Sequence, residues 1–395
     1  MTPRVILATR LYPPEVGAAA FRLEALAQGL CDAGASVRVL TTRPPAEDSA
    51  EHDVAAGARA ADDDGASAVR RWPVLRDAGG NVRGYVQYLS FDVPLFFRLL
   101  VTPGDLVVAE PPPTTGVVVA LSCWIRRRGF VYYAADIWTD AVAAMGGPRI
   151  VTGLMRVVEG WVLRRARAVI AISAGVAEQT RQFGIPAGKV TVVGNGVNTA
   201  VFRPEGPAAD PGYRYLVYTG TMSEWQGAEV FIQALPEVLS RFPDVRLHFF
   251  GQGSAEVALR RMASELAPVR VVFGGVVPPE EAARWIRGAV ASLVSIVPDQ
   301  GYDFAKPTKI YAAAACGTPV VYAGKGACVP MVEDNRLGTA CEFSPKAVAN
   351  ALLRYLGEPD PHRAQRARWV EENASLGTTG RAAAAEVLTA IRAAR

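Results

Sequence analysis

Histidine, lysine and cysteine are the scarcest residues of this chain. Its 395 residues include three histidines and five lysines. The lysines are Lys189, Lys306, Lys309, Lys325 and Lys346. The histidines occur singly, without a histidine or cysteine partner at a zinc-like spacing, so the sequence predicts no metal site of that kind.

Concentrated positive charge is also missing. The formal net charge is +4, and basic clusters such as 126–128 are short and lack interleaved aromatic residues. The sequence therefore predicts no nucleic-acid partner.

Cysteine pairs and long apolar runs are absent as well. The five cysteines (Cys31, Cys123, Cys316, Cys328 and Cys341) are odd in number and unpatterned, which indicates reduced core residues of a cytoplasmic protein. The first seventeen residues become a strand and a loop without the apolar region of a signal peptide. The longest apolar run, 116–125, is too short to cross a bilayer. We expect at most peripheral membrane contact, through the aromatic-rich segment 85–101, where a buried helix is the favoured interpretation.

What the first half does contain is an alternation of short β-branched runs and longer helical patterns. Strands are predicted at 4–9, 36–42, 105–110, 129–136, 167–173 and 191–195. Helices between strands indicate parallel pairing in a doubly wound α/β sheet. The acidic segment 44–67 predicts a surface loop, and its run Asp62-Asp63-Asp64 imitates a DxD metal motif without a strand end to present it.

A second alternation follows the segment 202–213, whose three prolines and two glycines predict an interdomain linker. Further strands are predicted at 213–220, 245–251, 269–275, 292–297 and 318–324. The pattern predicts two Rossmann-like domains, 1–204 and 205–377. The C-terminal segment predicts two helices broken at 376–380.

Ligands of open α/β sheets bind beyond the carboxyl ends of the strands, so two such sheets suggest a cleft with one ligand from each side. Gly17 and the alanines 18–20 start a helix after the first strand. Small residues there would admit a ligand to the helix N-terminus, or they simply pack tightly. The spacing leaves both interpretations open.

Two loops of the second domain place glycines directly after a strand, at 219–227 and 250–254. Phosphate-binding loops have this form, and the candidate residues are Gly220, Thr221, Gln226 and Gly251. Neither loop is GxGxxG or Walker A, which argues against a dehydrogenase.

The stretch GYDFAKPTKIYAAAACGTPVV, residues 301–321, places two of the five lysines at the start of a helix opened by Pro307. Cations are unfavourable at a helix N-terminus unless an anion is present. Lys306 and Lys309 therefore predict a cradle for a diphosphate, with two solvated lysines as the alternative.

These motifs, together with 134–146 and 164–204, resemble the GT-B glycosyltransferases of family 4. The subgroup most resembled transfers sugars in polysaccharide and natural-product assembly. The resemblance covers nearly the whole chain in motif order, and NGVN-x-x-x-F-x-P and ACGTPVV are its most specific parts.

The resemblance implies retaining transfer of a sugar from a nucleoside-diphosphate donor to a small-molecule or glycan acceptor, without metal or other cofactor. It implies a donor on the C-terminal domain, an acceptor on the N-terminal domain, a cleft between them, and a C-terminal helix, about 378–395, that packs back on the first domain. Lys309 and Gly17 match family donor-binding positions. Asp136 matches an acceptor-side position near the reacting centre, where it would orient or deprotonate the acceptor, or merely cap a helix.

The chain also departs from the family pattern. Two glutamates eight positions apart are expected, but Phe304 and Ala312 stand there, with Asp303 beside the first as a possible sugar contact. Thr221, Glu224 and Gln226 occupy the loop where an arginine and a lysine are common. The departures favour an active enzyme with an atypical donor sugar, on a UDP, GDP or dTDP carrier. A non-catalytic subunit that binds a nucleotide sugar and a GT-B nucleotide-sugar epimerase are the alternatives.

Overall fold

The computed structural model describes residues 2–15, 17–44, 67–77, 82, 84–139, 149–358 and 360–393. The chain divides into two compact units, Met1–Asn195 with Leu376–Arg395, and Gly196–Ser375. The run Asp62-Asp63-Asp64 and residues 140–146 of the predicted acceptor-side segment lie outside the described residues.

The first unit is a parallel sheet of seven strands in the order β3-β2-β1-β4-β5-β6-β7. Its strands are β1 (Arg4–Ala8), β2 (Ser36–Thr42), β3 (Ser67–Trp72), β4 (Leu106–Ala109), β5 (Gly129–Ala134), β6 (Ala168–Ala171) and β7 (Val190–Val192). Its helices are α1 (Ala18–Asp32), α2 (Tyr85–Val101), α3 (Pro113–Ile125), α4 (Arg149–Arg165), α5 (Ala174–Arg181) and α13 (Leu376–Arg392). The central strands β4 and β5 are buried throughout, which explains their uninterrupted apolar sequence.

The second unit is a parallel sheet of six strands in the order β10-β9-β8-β11-β12-β13. Its strands are β8 (Tyr215–Thr219), β9 (Arg246–Phe250), β10 (Val271–Gly275), β11 (Ala291–Ser295), β12 (Val320–Ala323) and β13 (Gly338–Cys341). Its helices are α6 (Glu229–Arg241), α7 (Glu256–Leu266), α8 (Pro279–Gly288), α9 (Thr308–Ala315), α10 (Cys328–Asp334), α11 (Pro345–Gly357) and α12 (Arg363–Asn373). The predicted pair of doubly wound parallel sheets is confirmed.

Helix α13 packs on α1 through glycines. A Cβ on Gly380 would overlap the carbonyl of Ala25, and one on Gly29 would lie 2.9 Å from the carbonyl oxygen of Gly380. The predicted helix break at 376–380 is therefore wrong. The break lies at Ala374 and Ser375, and Gly380 serves the close approach of two helices.

The segment 202–213 is not a free linker, as the sequence had suggested. Arg287 of α8 donates from Nε to the carbonyl of Pro207 at 2.9 Å, and Ala209 is buried and donates its N–H to Arg284 at 3.0 Å. These contacts hold the segment on the second unit, so the division falls after Asn195 instead of after residue 204. Strands β3 and β13 were also missed. The two arginines of SAVRRW obscure β3, an edge strand whose one partner among the described strands is β2.

Helix α2 corrects the favoured interpretation of residues 85–101. Phe91, Leu95 and Leu99 are buried as expected, but the opposite apolar face of the helix is exposed. No helix in the part of the chain that the structure describes is long and apolar enough to cross a membrane.

Candidate functional site

Each sheet has a point at which the direction of strand order reverses, and ligands of such sheets bind there. In the second unit the point lies between β8 and β11, which are neighbours in the sheet. The loops after β8, β9 and β11 all open at the carboxyl edge of this sheet. Together with the first turn of α9, they carry the donor-binding residues that the sequence selected in this unit.

Gly220 and Gly251 follow β8 and β9 and pack directly on each other. Both have positive φ, 100° and 129°, a conformation that side chains rarely adopt. A Cβ on Gly251 would overlap the Gly220 carbonyl. The two glycines therefore bring adjacent loops together without side chains between them, leaving backbone at the strand ends.

Lys309, in the first turn of α9, reaches the end of β8. Its Nζ lies 3.3 Å from the carbonyl oxygen of Thr221 and 3.8 Å from the centre of the Tyr218 ring. Burial lowers the pKa of Lys309 to about 7. No carboxylate lies within salt-bridge distance of Lys309 in the described ranges. By contrast, Lys325 is ion-paired with Asp299.

The loop after β8 is held by its own side chains. Gln226 is buried, and its Oε1 accepts from the N–H of Ser223 at 3.1 Å and from the Tyr218 hydroxyl at 3.4 Å. The carbonyl of Thr221 also accepts from the Tyr218 hydroxyl, at 2.8 Å. Glu224 accepts from Ser254 at 2.7 Å, which lowers the pKa of its carboxyl. The side-chain oxygen of Gln226 is thus engaged within the loop, whereas Thr221 is exposed.

The loop after β11 contains the other candidates. Asp303 Oδ2 accepts from the N–H of Asp299 at 3.2 Å, and Asp303 Oδ1 is buried without a hydrogen-bond partner among the described residues. Phe304 is 36 % exposed, and Lys306 is half-buried. Ala312 is 8 % exposed and packs in the apolar core of this unit, so no side-chain carboxylate is offered from its position.

One feature of these loops was missed from the sequence. Trp225 and Tyr302 stack with ring centroids 4.5 Å apart at an angle of 24°. They join the loop after β8 to the loop after β11. An aromatic residue in each of two glycine-containing loops is the pattern that would have indicated the contact.

In the first unit, Gly17 precedes α1 at the carboxyl edge of β1. Its φ of 172° is extended backbone, and a Cβ there would meet no atom of the described residues within 4 Å. Neither backbone conformation nor packing therefore requires a glycine at this position. The tight-packing interpretation has no contact to support it at Gly17.

Asp136 follows β5 and is exposed. A capping Asp136 would accept from the N–H groups of Trp138 or Thr139. Those groups instead donate to the buried carboxylate of Glu159, both at 2.9 Å, and the Thr139 hydroxyl donates to it at 2.6 Å. Desolvation raises the pKa of Asp136, and Arg22 opposes the rise. Glu159 occupies the capping role, which leaves the Asp136 carboxylate available.

A buried pair beside this position was not found from the sequence. Arg22 of α1 lies 3.5 Å from Glu110 Oε2, and Glu110 Oε1 accepts from Thr9 at 2.5 Å. Burial raises the pKa of Glu110, and Arg22 lowers it. The guanidinium also lies 5.2 Å from the centre of the Tyr133 ring. The contact joins α1 to the ends of β4 and β5, which no local pattern could reveal.

A second cation lies at the same edge. The Arg10 guanidinium lies 4.3 Å from the centre of the Tyr88 ring, and Tyr88 meets Trp138 edge-on at 5.7 Å. Arg10 also donates to the carbonyls of Val82 and Pro111, at 3.1 and 3.2 Å. In the described residues, no group of three or more His, Cys, Asp or Glu side chains is placed to hold a metal ion.

Solved structures with the same pair of domains are glycosyltransferases and related proteins. HepE from Anabaena, solved in complex with UDP and glucose, aligns over 98 % of this chain and 97 % of its own with a TM-score of 0.63 and 18 % identity. A glycosyltransferase from Rickettsia africae aligns over 98 % and 99 % with a TM-score of 0.70 and 14 % identity. At these identities the likeness shows the GT-B fold alone.

Family models match both units. Residues 17–196 match the model described as "Glycosyl transferase 4-like domain", and residues 213–358 match "Glycosyl transferases group 1". Each unit thus matches a glycosyltransferase domain model, and the pair has the GT-B fold. The two matched segments of this glycosyltransferase contain Gly17 and Asp136 in one case and Lys309 in the other.

Curated relatives of this GT-B glycosyltransferase match in part. A D-inositol 3-phosphate glycosyltransferase of Streptomyces scabiei is 30 % identical over 59 % of this chain and 56 % of its own. A GDP-mannose-dependent alpha-(1-6)-phosphatidylinositol monomannoside mannosyltransferase of Mycolicibacterium smegmatis is 32 % identical over 43 % and 46 %. The chain spans about half the length of the curated relatives it matches.

Proposed function

We propose that this protein transfers a sugar from a nucleoside-diphosphate donor to a small-molecule or glycan acceptor, with retention of anomeric configuration and without a metal ion. The donor occupies the carboxyl edge of the second sheet, and the acceptor occupies that of the first. We place the reaction in bacterial natural-product or polysaccharide assembly, in the cytoplasm.

The observation that carries the proposal is the environment of Lys309. Its ammonium is half-buried beside the Thr221 carbonyl and above the Tyr218 ring, and its pKa is lowered by burial. A cation held there, with no carboxylate of the described residues within salt-bridge distance, gains most from an anionic ligand. The diphosphate of a nucleotide sugar is such a ligand.

The main chain supports the same assignment. Lys309 lies in the first turn of α9, whose first N–H groups point out of the helix and favour negative charge. Gly220 lies against the Lys309 side chain, since a Cβ there would be 3.6 Å from Cε. Lysine and helix amides together neutralise the diphosphate as the glycosidic bond breaks, which stabilises the leaving group.

On the acceptor side, Asp136 is the candidate catalytic residue. With Glu159 capping the following turn, the carboxylate is left to orient or deprotonate an acceptor hydroxyl, amine or thiol. The desolvation that raises its pKa makes it a stronger base once ionised.

The donor is proposed to be atypical because Phe304 and Ala312 replace the expected glutamates. Ala312 is buried among apolar side chains, so the ribose or sugar hydroxyls lose a charge-assisted hydrogen bond there, a contribution of roughly 1.5–3 kcal/mol. A deoxy, amino or extended sugar would not need these partners. The same replacement supports the second candidate, a subunit that binds a nucleotide sugar without turnover.

A donor panel tests the proposal. Thermal midpoints would be measured with UDP-, GDP- and dTDP-sugars, because a ligand that binds the folded state raises apparent stability. UDP-glucose and GDP-mannose come first, since UDP and glucose are bound in HepE and GDP-mannose is named for the mycobacterial relative. We expect one donor class to raise the thermal midpoint of the wild-type protein. Lys309→Ala should abolish this rise, whereas the control Lys346→Ala, at an exposed lysine, should retain it.

Product analysis separates the alternatives. A glycosylated product with retained anomeric configuration supports the enzyme, and donor binding without a product from any acceptor supports the binding subunit. An isomerised donor without acceptor would favour the epimerase. A Lys309→Ala protein that keeps wild-type binding would contradict the diphosphate assignment.

A further inference from the structure

Helix α2 has an apolar face that none of the described residues covers. Because successive helical residues are rotated by about 100°, the five positions taken at every fourth residue from 85 to 101 lie together on an arc of about 160° of the helix surface. These residues are Tyr85, Leu89, Val93, Phe97 and Val101, and each is more than half exposed. The other side of the helix is buried. A helix that is apolar all round is normally buried all round, so the exposed side calls for a partner.

A further exposed aromatic side chain lies on the helix next to α2. Arg128, which follows α3, donates to the carbonyls of Leu99 and Thr102 at 2.7 and 3.0 Å, so the C-terminal ends of α2 and α3 lie side by side. Trp124, in the last turn of α3, is 71 % exposed. We call the five α2 residues and Trp124 the α2 patch.

Arginine side chains lie beside the α2 patch. Arg98 lies on α2 itself, with its guanidinium 5.7 Å from the Trp72 ring, and Arg126 and Arg127 are exposed next to Trp124. The sequence of the neighbouring described ranges, 67–77 and 84–128, contains four carboxylates. Of these, Asp92 and Glu110 are buried, Asp105 is ion-paired with Arg4, and Asp77 precedes α2. Arginines beside an apolar surface are complementary to an anionic bilayer, in which negatively charged headgroups cover the hydrocarbon chains.

We propose that the α2 patch docks this protein on the surface of an anionic lipid bilayer. With α2 parallel to the membrane plane, its five exposed apolar residues enter the boundary between headgroups and acyl chains. Trp124 lies at the level of the headgroups, and the arginines contact lipid phosphates. A second copy of the chain fits less well, because self-pairing of the same patch would bring the arginines of both copies together.

Vesicle sedimentation tests the proposal without any sugar substrate, so its outcome is independent of the proposed activity. Wild-type protein is expected to sediment with phosphatidylcholine vesicles that contain about 30 % phosphatidylglycerol. The partition coefficient should fall by about tenfold or more on pure phosphatidylcholine or in about 0.5 M NaCl, because salt screens the arginines.

The decisive variant is Leu89→Glu/Phe97→Glu, which should lower partitioning by at least about tenfold. The control Val257→Glu/Val276→Glu makes the same change at exposed valines of the second unit and should bind within about twofold of wild type. Thermal midpoints establish that both proteins fold, and Leu89→Ser/Phe97→Ser serves if the charged variant does not.

Failure of wild type to sediment, or equal partitioning of both double variants, would overturn the proposal. A second result would also overturn it: wild type does not bind vesicles but forms a dimer in analytical ultracentrifugation, and Leu89→Glu/Phe97→Glu is monomeric. The patch would then bind a second copy of the chain.

Discussion

The Lys309 ammonium lies 3.8 Å from the centre of the Tyr218 ring, with the Thr221 carbonyl oxygen 3.3 Å away. The ring face and the carbonyl oxygen attract a cation but do not neutralise it. Burial outweighs this attraction and lowers the pKa of Lys309 to about 7. The residue is thus poised to take up a proton when an anion arrives.

Donor affinity should therefore depend on pH. Below pH about 7, Lys309 is protonated in the free protein, whereas above it donor binding must be accompanied by proton uptake. We expect the affinity for the nucleotide sugar that raises the thermal midpoint to fall as pH rises from 6 to 9. Calorimetry in two buffers of different ionisation enthalpy would detect the proton. Lys309→Arg should flatten the profile, and an unchanged wild-type affinity over this range would contradict the mechanism.

The same group links stability to pH with a definite sign. Between the folded pKa of about 7 and the unfolded value near 10.5, the unfolded chain holds the extra proton, so the contribution of Lys309 to folding stability rises with pH. Relative to Lys309→Met, wild type should gain stability from pH 7 to 10. Urea unfolding of both proteins at several pH values measures the difference, and a gain on acidification would refute the assignment.

Asp136→Asn should lower turnover by about a hundredfold while leaving donor affinity within about twofold, since an amide does not accept the acceptor proton. Because Glu159 caps the turn, the change should leave the thermal midpoint unaltered. Asp334→Asn, at an exposed position of the second unit, is the control. Loss of stability without loss of turnover would return Asp136 to a structural role.

Gly17→Ala tests whether the glycine leaves room for a ligand or is needed for packing within the protein. A methyl group there meets no atom within 4 Å in the described part of the chain and the backbone is extended, so stability should be unchanged. If the donor approaches this helix start, its affinity should fall by about tenfold, roughly 1.4 kcal/mol. Titration of donor against Gly17→Ala and wild type decides, and equal affinities would remove Gly17 from the site.

Two matched helix substitutions test the packing of α13 on α1. Gly380→Ala forces its Cβ into the Ala25 carbonyl and should destabilise by about 1–3 kcal/mol. Gly153→Ala, also in a helix but with no described atom within 4 Å of the added methyl group, should stabilise by up to about 1 kcal/mol. Chemical denaturation of both variants measures the change in the free energy of unfolding, which should have opposite signs. If Gly380→Ala leaves this free energy unchanged, the two helices separate easily.

By itself the sequence determined most of the strands and helices, although not β3 or β13. The uninterrupted apolar runs of β4 and β5 predicted a sheet covered on both faces, and glycines after β8 and β9 predicted loops open to a ligand. Lys309 after a helix-opening proline was recognisable for the same local reason. These features depend on neighbours a few residues away, so the order of residues is enough to read them.

Only the tertiary structure decided which distant residues meet. Lys309 contacts Thr221 across 88 residues of chain, and Arg22 meets Glu110 because the crossover places β4 beside β1. Glu159 takes the capping role that the sequence had left to Asp136 as an alternative. The exposed face of α2 was equally hidden, because its composition is apolar on both sides and packing alone selects the side that is buried.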